Sequence, residues 1–187
     1  MKETPPLTFA LIGKGRWGQN YIKSIDGLEG SVLPQEFIRT RDFVELFNHR
    51  QIDGVIIASP TDTHFPIAKD FLIRNYNILI EKPVTMTYKE ARELDEIQKT
   101  RKKVVVMVGH LQLYDPAYQE LKNSLKKIGR VRSMTFMGLQ SPKRRESTLL
   151  DWGPHPIYLF MDILGIPPLF VSAEETSNDN IHIVFDF

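Results

Sequence analysis

Three short groups of residues have the types and spacing to do chemistry. The first is Gly13-Lys14-Gly15-Arg16-Trp17-Gly18, three glycines in the order G-x-G-x-x-G. In that order the first glycine permits a tight turn, the second lets the backbone approach a pyrophosphate, and the third allows a helix to pack closely on a strand. A helix beginning there offers unpaired N–H groups and a partial positive charge. Lys14 and Arg16 add full charges beside them. This is chemistry for holding a dinucleotide, with an unliganded glycine turn as the plainer alternative. The second group ends the apolar run at residues 78–80 with Glu81, Lys82 and Pro83. Ligands of open α/β sheets lie beyond the carboxyl ends of the strands, so Lys82 is placed where a ligand would lie and Pro83 stiffens the turn. A solvated loop lysine is the bland alternative. The third is Asp151 and His155, four residues apart at the start of a helix, a spacing that puts two side chains on roughly one side. An imidazole can take the proton of a hydroxyl as hydride leaves the same carbon, and a carboxylate beside it would orient the ring and favour its charged form. In the alternative, Asp151 only caps the helix and His155 only packs. His49 and His182 are better read as structural.

These groups need elements to hold them. Residues 8–12 read as a strand that runs into the glycine loop, and Trp17, Tyr21, Ile22 and Ile25 follow at helical spacing, with Gly27 and Gly30 closing the helix. Asp42 and Glu45 are placed as a capping box for a further helix. Residues 55–58 form a second clear strand, Ile67, Ala68, Phe71 and Leu72 the apolar face of a helix, and residues 78–80 the next strand. Thr87 and Glu90 form a capping box before a helix facing inward through Ala91, Leu94 and Ile97, and residues 104–108 are a buried strand. Strands alternating with helices over residues 7–110 predict a doubly wound parallel α/β sheet. Beyond it the pattern changes. Asp115-Pro116 starts a helix striped by Tyr118, Leu121, Leu125 and Ile128 and ended by Gly129. Residues 131–137 alternate as a half-exposed strand does. A helix from Trp152 points Ile157, Phe160, Met161 and Leu164 inward, with Asp151 as its N-cap, and residues 170–173 and 181–185 read as strands. Two domains are expected: residues 1–112, binding a dinucleotide, and residues 113–187, a shortened α+β unit with an antiparallel sheet. The chain ends within an apolar strand, which suggests a shortened domain or an edge paired with a partner.

The adenosine end is less regular. An Asp or Glu about 20 residues past the loop normally holds a ribose hydroxyl. Residues 26–36 are too short for a full strand–helix–strand repeat, and Glu36 is poorly placed for that role. Arg39 and Arg41 are candidates for a 2′-phosphate.

Composition excludes several classes. With 187 residues, 42% hydrophobic and 25% charged, the chain is an ordinary globular sequence. A net charge of +1 gives no case for nucleic acid. Having no cysteine, it has no disulfide, thiolate metal site or cysteine nucleophile, and no metal site is expected. No apolar stretch approaches the roughly 20 residues that span a bilayer, and residues 1–6 lack a signal-peptide core. The expectation is a cytoplasmic protein that does not enter membranes.

Taken in order, the glycine loop, residues 52–64 (Ile-Asp-Gly-Val-Ile-Ile-Ala-Ser-Pro-Thr-Asp-Thr-His), Glu81-Lys82-Pro83, residues 108–117 and residues 151–155 resemble the Gfo/Idh/MocA family of NAD(P)-dependent oxidoreductases. The resemblance covers nearly the whole chain. It implies a Rossmann domain followed by an α+β domain whose open sheet mediates homo-oligomerisation. It implies NAD or NADP as cofactor, held by Gly13, Lys14, Gly15, Arg16, Trp17 and Gly18. Ser59, Pro60, Thr61 and His64 would line the cofactor, and Glu81 would lie beside the nicotinamide ribose together with Lys82. Lys82, Asp151 and His155 match the catalytic lysine, aspartate and histidine. The Gly-His-x-x-x-Tyr-x-Pro form at residues 109–116 is similar to members acting on sugars or nucleotide sugars. His110, Tyr114, Arg144, Arg145 and Trp152 are the substrate-side candidates. The second strand with its helix, and the C-terminal sheet, are shorter than the family's. Two other readings therefore stand beside the oxidoreductase: a non-catalytic module that binds a dinucleotide or sugar or supports a partner subunit, and a fragment of a longer enzyme.

Overall fold

The computed structural model describes residues 7–26, 31–32, 43, 52–138, 148–176 and 180–187. The chain forms two compact units, Met1–Gly109 and His110–Phe187.

In the first unit, β1 (Leu7–Ile12), β2 (Ser31–Val32), β3 (Gly54–Ile57), β4 (Asn77–Ile80) and β5 (Val106–Val108) lie in the order β2-β1-β3-β4-β5. Every neighbouring pair is parallel. Alternation along β1 explains the two layers. Ala10 and Ile12 join Val55, Ile57, Ile78 and Ile80 in a core closed by α2 (His64–Ile73) and α3 (Tyr88–Thr100). Leu11 and Ile56 point the other way and pack with Ile25 of α1 (Arg16–Asp26), with Tyr21 and Ile22 beside them. Helices on both faces make the sheet a doubly wound α/β layer of the Rossmann type.

Local signals account for most boundaries. Thr87 accepts from the Glu90 amide at 3.3 Å while the Glu90 carboxylate accepts from the Thr87 amide at 3.0 Å, the expected capping box. β5 is shorter than the apolar run at 104–108, because the Val105 amide donates to the Asn77 side chain and not to the ladder. A second strand does exist where the sequence looked too short for a full repeat: Ser31 and Val32 pair with Leu7 and Thr8 of β1. The expected Asp42–Glu45 cap, Gly27, Gly30, Glu36, Arg39, Arg41 and His49 lie outside the described residues.

The second unit holds α4 (Pro116–Ile128), α5 (Thr148–Trp152), α6 (Pro154–Leu164), and the antiparallel pair β6 (Phe170–Thr176) and β7 (Asn180–Asp186). Asp115 caps α4 by accepting from the Ala117 amide at 2.8 Å. α4 is tied to α6 through Asp162, which accepts from the Tyr118 hydroxyl at 2.6 Å and from Lys122 Nζ at 2.8 Å. Those bonds, from Lys122 first and Tyr118 next, hold the Asp162 carboxyl below the usual carboxylate range. Burial and the adjoining carboxylate push the Tyr118 phenol up.

Three expectations fail here. Residues 133–137 alternate in burial, but residues 131–137 join no strand among the described residues. Alternation records a two-faced segment, and a ladder also needs a neighbour with which to exchange hydrogen bonds. This segment instead borders a cavity of about 1040 Å³ whose other walls include Phe160 of α6 and Ile183 and Phe185 of β7. Asp151 is not an N-cap: it lies inside α5, and α6 begins after Gly153 with no side-chain cap. The inward face of α6 is also shifted, since Met161 is exposed and Tyr158 is its buried residue.

Candidate active site

The strand order reverses beside β1, whose neighbours β2 and β3 are reached in opposite directions, and crevices form at such points beyond the carboxyl ends of the strands. Gly13 turns out of β1 with φ +100°, a conformation that disfavours any side chain. A Cβ on Gly13 would stand 2.4 Å from the Ala58 carbonyl oxygen, and one on Gly18 only 2.0 Å from the Gly13 oxygen. A Cβ on Gly15 would meet nothing within 4 Å. Two glycines are therefore required by the protein's own packing, and the middle one faces open space. Lys14, Gly15, Arg16 and Trp17 are exposed and Gly18 is buried. Gln19 donates to the Gly15 carbonyl at 3.0 Å, so the amides of Arg16, Trp17 and Gly18 precede the first intrahelical donor of α1.

The turn after β3 forms the facing wall. The hydroxyls of Ser59 and Thr63 are 2.6 Å apart, and Thr63 Oγ1 donates to the Pro60 carbonyl at 2.7 Å. Pro60 is exposed and Thr61 half-buried. His64 is 1% exposed. Its Nδ1 lies 2.8 Å from the Pro83 carbonyl and its Nε2 3.0 Å from that of Ser59. The ring sits beneath the crevice as a tether between two turns.

After β4, Glu81 is buried, and its amide donates to Ile57 in the ladder. One carboxylate oxygen accepts from the Tyr21 hydroxyl at 2.8 Å and the other from the Lys82 amide at 3.2 Å. Burial first, then the charge and hydrogen bond of Glu81, push the Tyr21 phenol far up. Gly109 closes the group, since a Cβ there would lie 3.1 Å from Glu81 Oε1. Lys82 is half-buried at the head of a cis bond to Pro83.

The second unit carries Asp151 and His155. They lie on separate short helices joined at Gly153, where a Cβ would stand 2.3 Å from the Leu149 carbonyl. Asp151 is buried. His155 Nδ1 is 2.8 Å from the Tyr158 hydroxyl, which donates to Gln112 Oε1 at 2.7 Å. The His110 ring stacks on Tyr158 with centroids 4.0 Å apart, and burial lowers its pKa. Trp152 meets His155 edge-on at 5.6 Å, and its Nε1 is buried with no partner among the described residues. Thus His110, Trp152 and His155 are brought together, while Tyr114 is 65% exposed on the adjoining turn. Arg144 and Arg145 lie outside the described residues.

Sequence reasoning missed three participants. Tyr21 was legible only as part of an apolar helical stripe, Gln112 as one letter of a motif, and Tyr158 as a position three residues after His155. Among the described residues, no three His, Asp or Glu side chains gather to hold a metal ion, and no helix is long and apolar enough to cross a membrane.

Comparison with known proteins yields a family match over residues 35–110, described as an oxidoreductase family with an NAD-binding Rossmann fold. A UDP-N-acetylglucosamine 3-dehydrogenase from Acidithiobacillus ferrooxidans is 30% identical over 126 residues, covering 66% of this chain and 39% of that protein. An inositol 2-dehydrogenase from Rhizobium meliloti is 26% identical over 194 residues, covering 89% and 58%. A crystal structure of a protein from Magnetospirillum magnetotacticum superposes with a TM-score of 0.81 at 29% identity, covering 97% of this chain and 67% of the other. The chain spans between 23% and 58% of the length of the first four curated relatives it matches.

Proposed function

Since the chain belongs to the Gfo/Idh/MocA family of oxidoreductases, we propose that it moves hydride between a nicotinamide cofactor and the hydroxyl- or keto-bearing carbon of a sugar or nucleotide sugar. The observation that carries the reading is the glycine cradle: Gly13 and Gly18 closed by backbone, Gly15 open at the reversal of strand order. That cradle fits a pyrophosphate, with the first amides of α1 as donors and Lys14, Arg16 and Trp17 around it. NAD or NADP bound there would supply the hydride acceptor or donor.

The chain's own residues would do the rest. Ser59, Pro60 and Thr61 line the cofactor, and His64 contributes by fixing their turn. Glu81 holds a ribose hydroxyl, its carboxylate already aimed by Tyr21. Lys82 stabilises the developing alkoxide by its charge. His155 moves the hydroxyl proton, and the nearby Asp151 carboxylate favours the charged form of its ring. His110, Tyr114, Trp152, Arg144 and Arg145 select the substrate. The names of the two dehydrogenase relatives support a polyhydroxylated substrate. Leu169, Phe170 and Val171, each more than half exposed at the start of β6, are the surface on which a second copy would pair.

The test is a fluorescence titration with NADH and NADPH, followed by turnover assays on inositols and UDP-sugars. Saturable binding with one cofactor preferred is expected. Lys82→Ala and His155→Ala are each expected to abolish turnover while leaving cofactor binding nearly intact. Full activity in both variants would overturn the assignment of roles. No binding at millimolar cofactor would overturn the oxidoreductase reading itself.

A further inference from the structure

We propose that Tyr158 and Gln112 are positioning residues that fix the tautomer of His155, holding its proton on Nδ1 so that Nε2 is the proton-accepting atom. The catalytic meaning of this rests on the oxidoreductase reading above; the hydrogen-bond chain does not.

A phenol has one proton to give. Tyr158 gives it to Gln112 Oε1 at 2.7 Å. What the phenol oxygen then turns toward His155 Nδ1, 2.8 Å away, is a lone pair. Two lone pairs at that distance repel, so Nδ1 must bring a proton. A neutral imidazole carries one N–H, so Nε2 keeps its lone pair. When a substrate hydroxyl gives up its proton, the O–H bond breaks, the proton goes to Nε2, and the products are an alkoxide and an imidazolium. The imidazolium needs Nδ1–H donated to an acceptor, and that bond is already in place. No heavy atom has to reorient, which is the preorganisation that makes a general base effective.

The surroundings hold the setting. Tyr158 is 8% exposed, so water has little access to the residue. His110 fixes the plane of the phenol by stacking at 21°. His155 and Tyr158 are three residues apart on α6, a spacing that places them on one face. Gln112 comes from the turn Leu111–Tyr114. Among the described residues, these bonds have one other self-consistent setting. If the Gln112 amide turned to present its NH2 group, the phenol would donate to Nδ1 and the ring would carry Nε2–H, a proton donor in place of an acceptor.

The experiment is a long-range 1H–15N correlation spectrum of histidine-labelled protein at a pH where the rings are neutral, with His155 assigned from the spectrum of His155→Asn. The two tautomers exchange the 15N shifts of the protonated and bare nitrogens. Nδ1–H is expected for His155 in the unmodified protein. Tyr158→Phe, which keeps the ring stacked on His110, is expected to return His155 to the Nε2–H form. Gln112→Glu, which still accepts, is expected to retain Nδ1–H. In a turnover assay Tyr158→Phe is expected to lower kcat by at least about tenfold with KM little changed. An Nε2–H ring in the unmodified protein, or an Nδ1–H ring unaltered by Tyr158→Phe, would overturn the proposal. Absent turnover with the Nδ1–H pattern intact would count against the oxidoreductase reading alone, because the spectrum needs no substrate.

Discussion

Replacing the glycines of the loop one at a time by alanine separates folding from binding. At Gly18 the added methyl would stand 2.0 Å from the Gly13 carbonyl oxygen and 3.0 Å from its carbon. Both neighbours are backbone, so relief requires α1 to move off β1. Overpacking costs about 1–3 kcal/mol, and a backbone clash this close belongs at the upper end. About 3 kcal/mol in a chain of this size lowers Tm by about 6–12 °C. At Gly15 the methyl meets nothing within 4 Å and φ is not positive. There the unfolded chain loses conformational freedom and the folded one gains no strain, so Tm should hold or rise slightly. The same methyl projects into the space assigned to the pyrophosphate. It should weaken NADH at least about tenfold, or about 1.4 kcal/mol. Thermal melts and nicotinamide fluorescence titrations of the two variants read both effects. A Gly15→Ala protein that binds NADH like the parent would refute the placement of the dinucleotide. A Gly18→Ala protein with the parental Tm would refute the packing argument.

Tyr21→Phe removes one of two hydrogen bonds to the buried Glu81 carboxylate and should cost about 1.5–3 kcal/mol. The raised phenol also sets a sign. From about pH 10 the unfolded chain gives up its Tyr21 proton while the folded chain keeps it, so stability falls as pH rises; urea midpoints between pH 8 and 11 should fall less steeply in the variant. Asp162 acts at the other end of the scale. Its lowered pKa contributes stability that is present above about pH 4 and lost as pH falls through the folded value. Asp162→Asn should cost about 1 kcal/mol at neutral pH, a modest figure because the pair is about one-third exposed, and progressively less as pH falls through the folded value. Thr87→Ala breaks the capping box of α3 and should cost about 1 kcal/mol, checked by the denaturation midpoint with an unchanged m-value.

Much of the first unit was legible because its signals are local. Apolar runs bounded by glycine or proline gave β1, β3 and β4, and Thr87 with Glu90 gave the start of α3 to the residue. The errors lie where an element depends on a distant partner. Residues 131–137 have a strand's alternation, but whether they pair is decided by what lies alongside. Asp151 has the chemistry of an N-cap, but the extra turn of α5 before it reassigns it to a helix interior. The first group of site residues was readable from glycine spacing, since each glycine answers to a neighbour a few residues away or to a ligand. Tyr21, Gln112 and Tyr158 were not readable, because each acts through a residue that only the fold brings near: Tyr21 and Glu81 are 60 positions apart, and Tyr158 and Gln112 are 46.

The ring of His64 has a consequence for motion. Its two nitrogens face the carbonyls of Ser59 and Pro83, and whichever nitrogen carries the N–H donates to its carbonyl while the ring packs against the other, so a side chain with almost no access to water spans both turns. The cheapest excursion is then a joint one, a local opening of the kind that amide exchange resolves. Amides in the two turns should share a single opening free energy and lose protection together under mild denaturant. Strands β3 and β4 bring the two turns side by side, and one imidazole makes them a single cooperative unit.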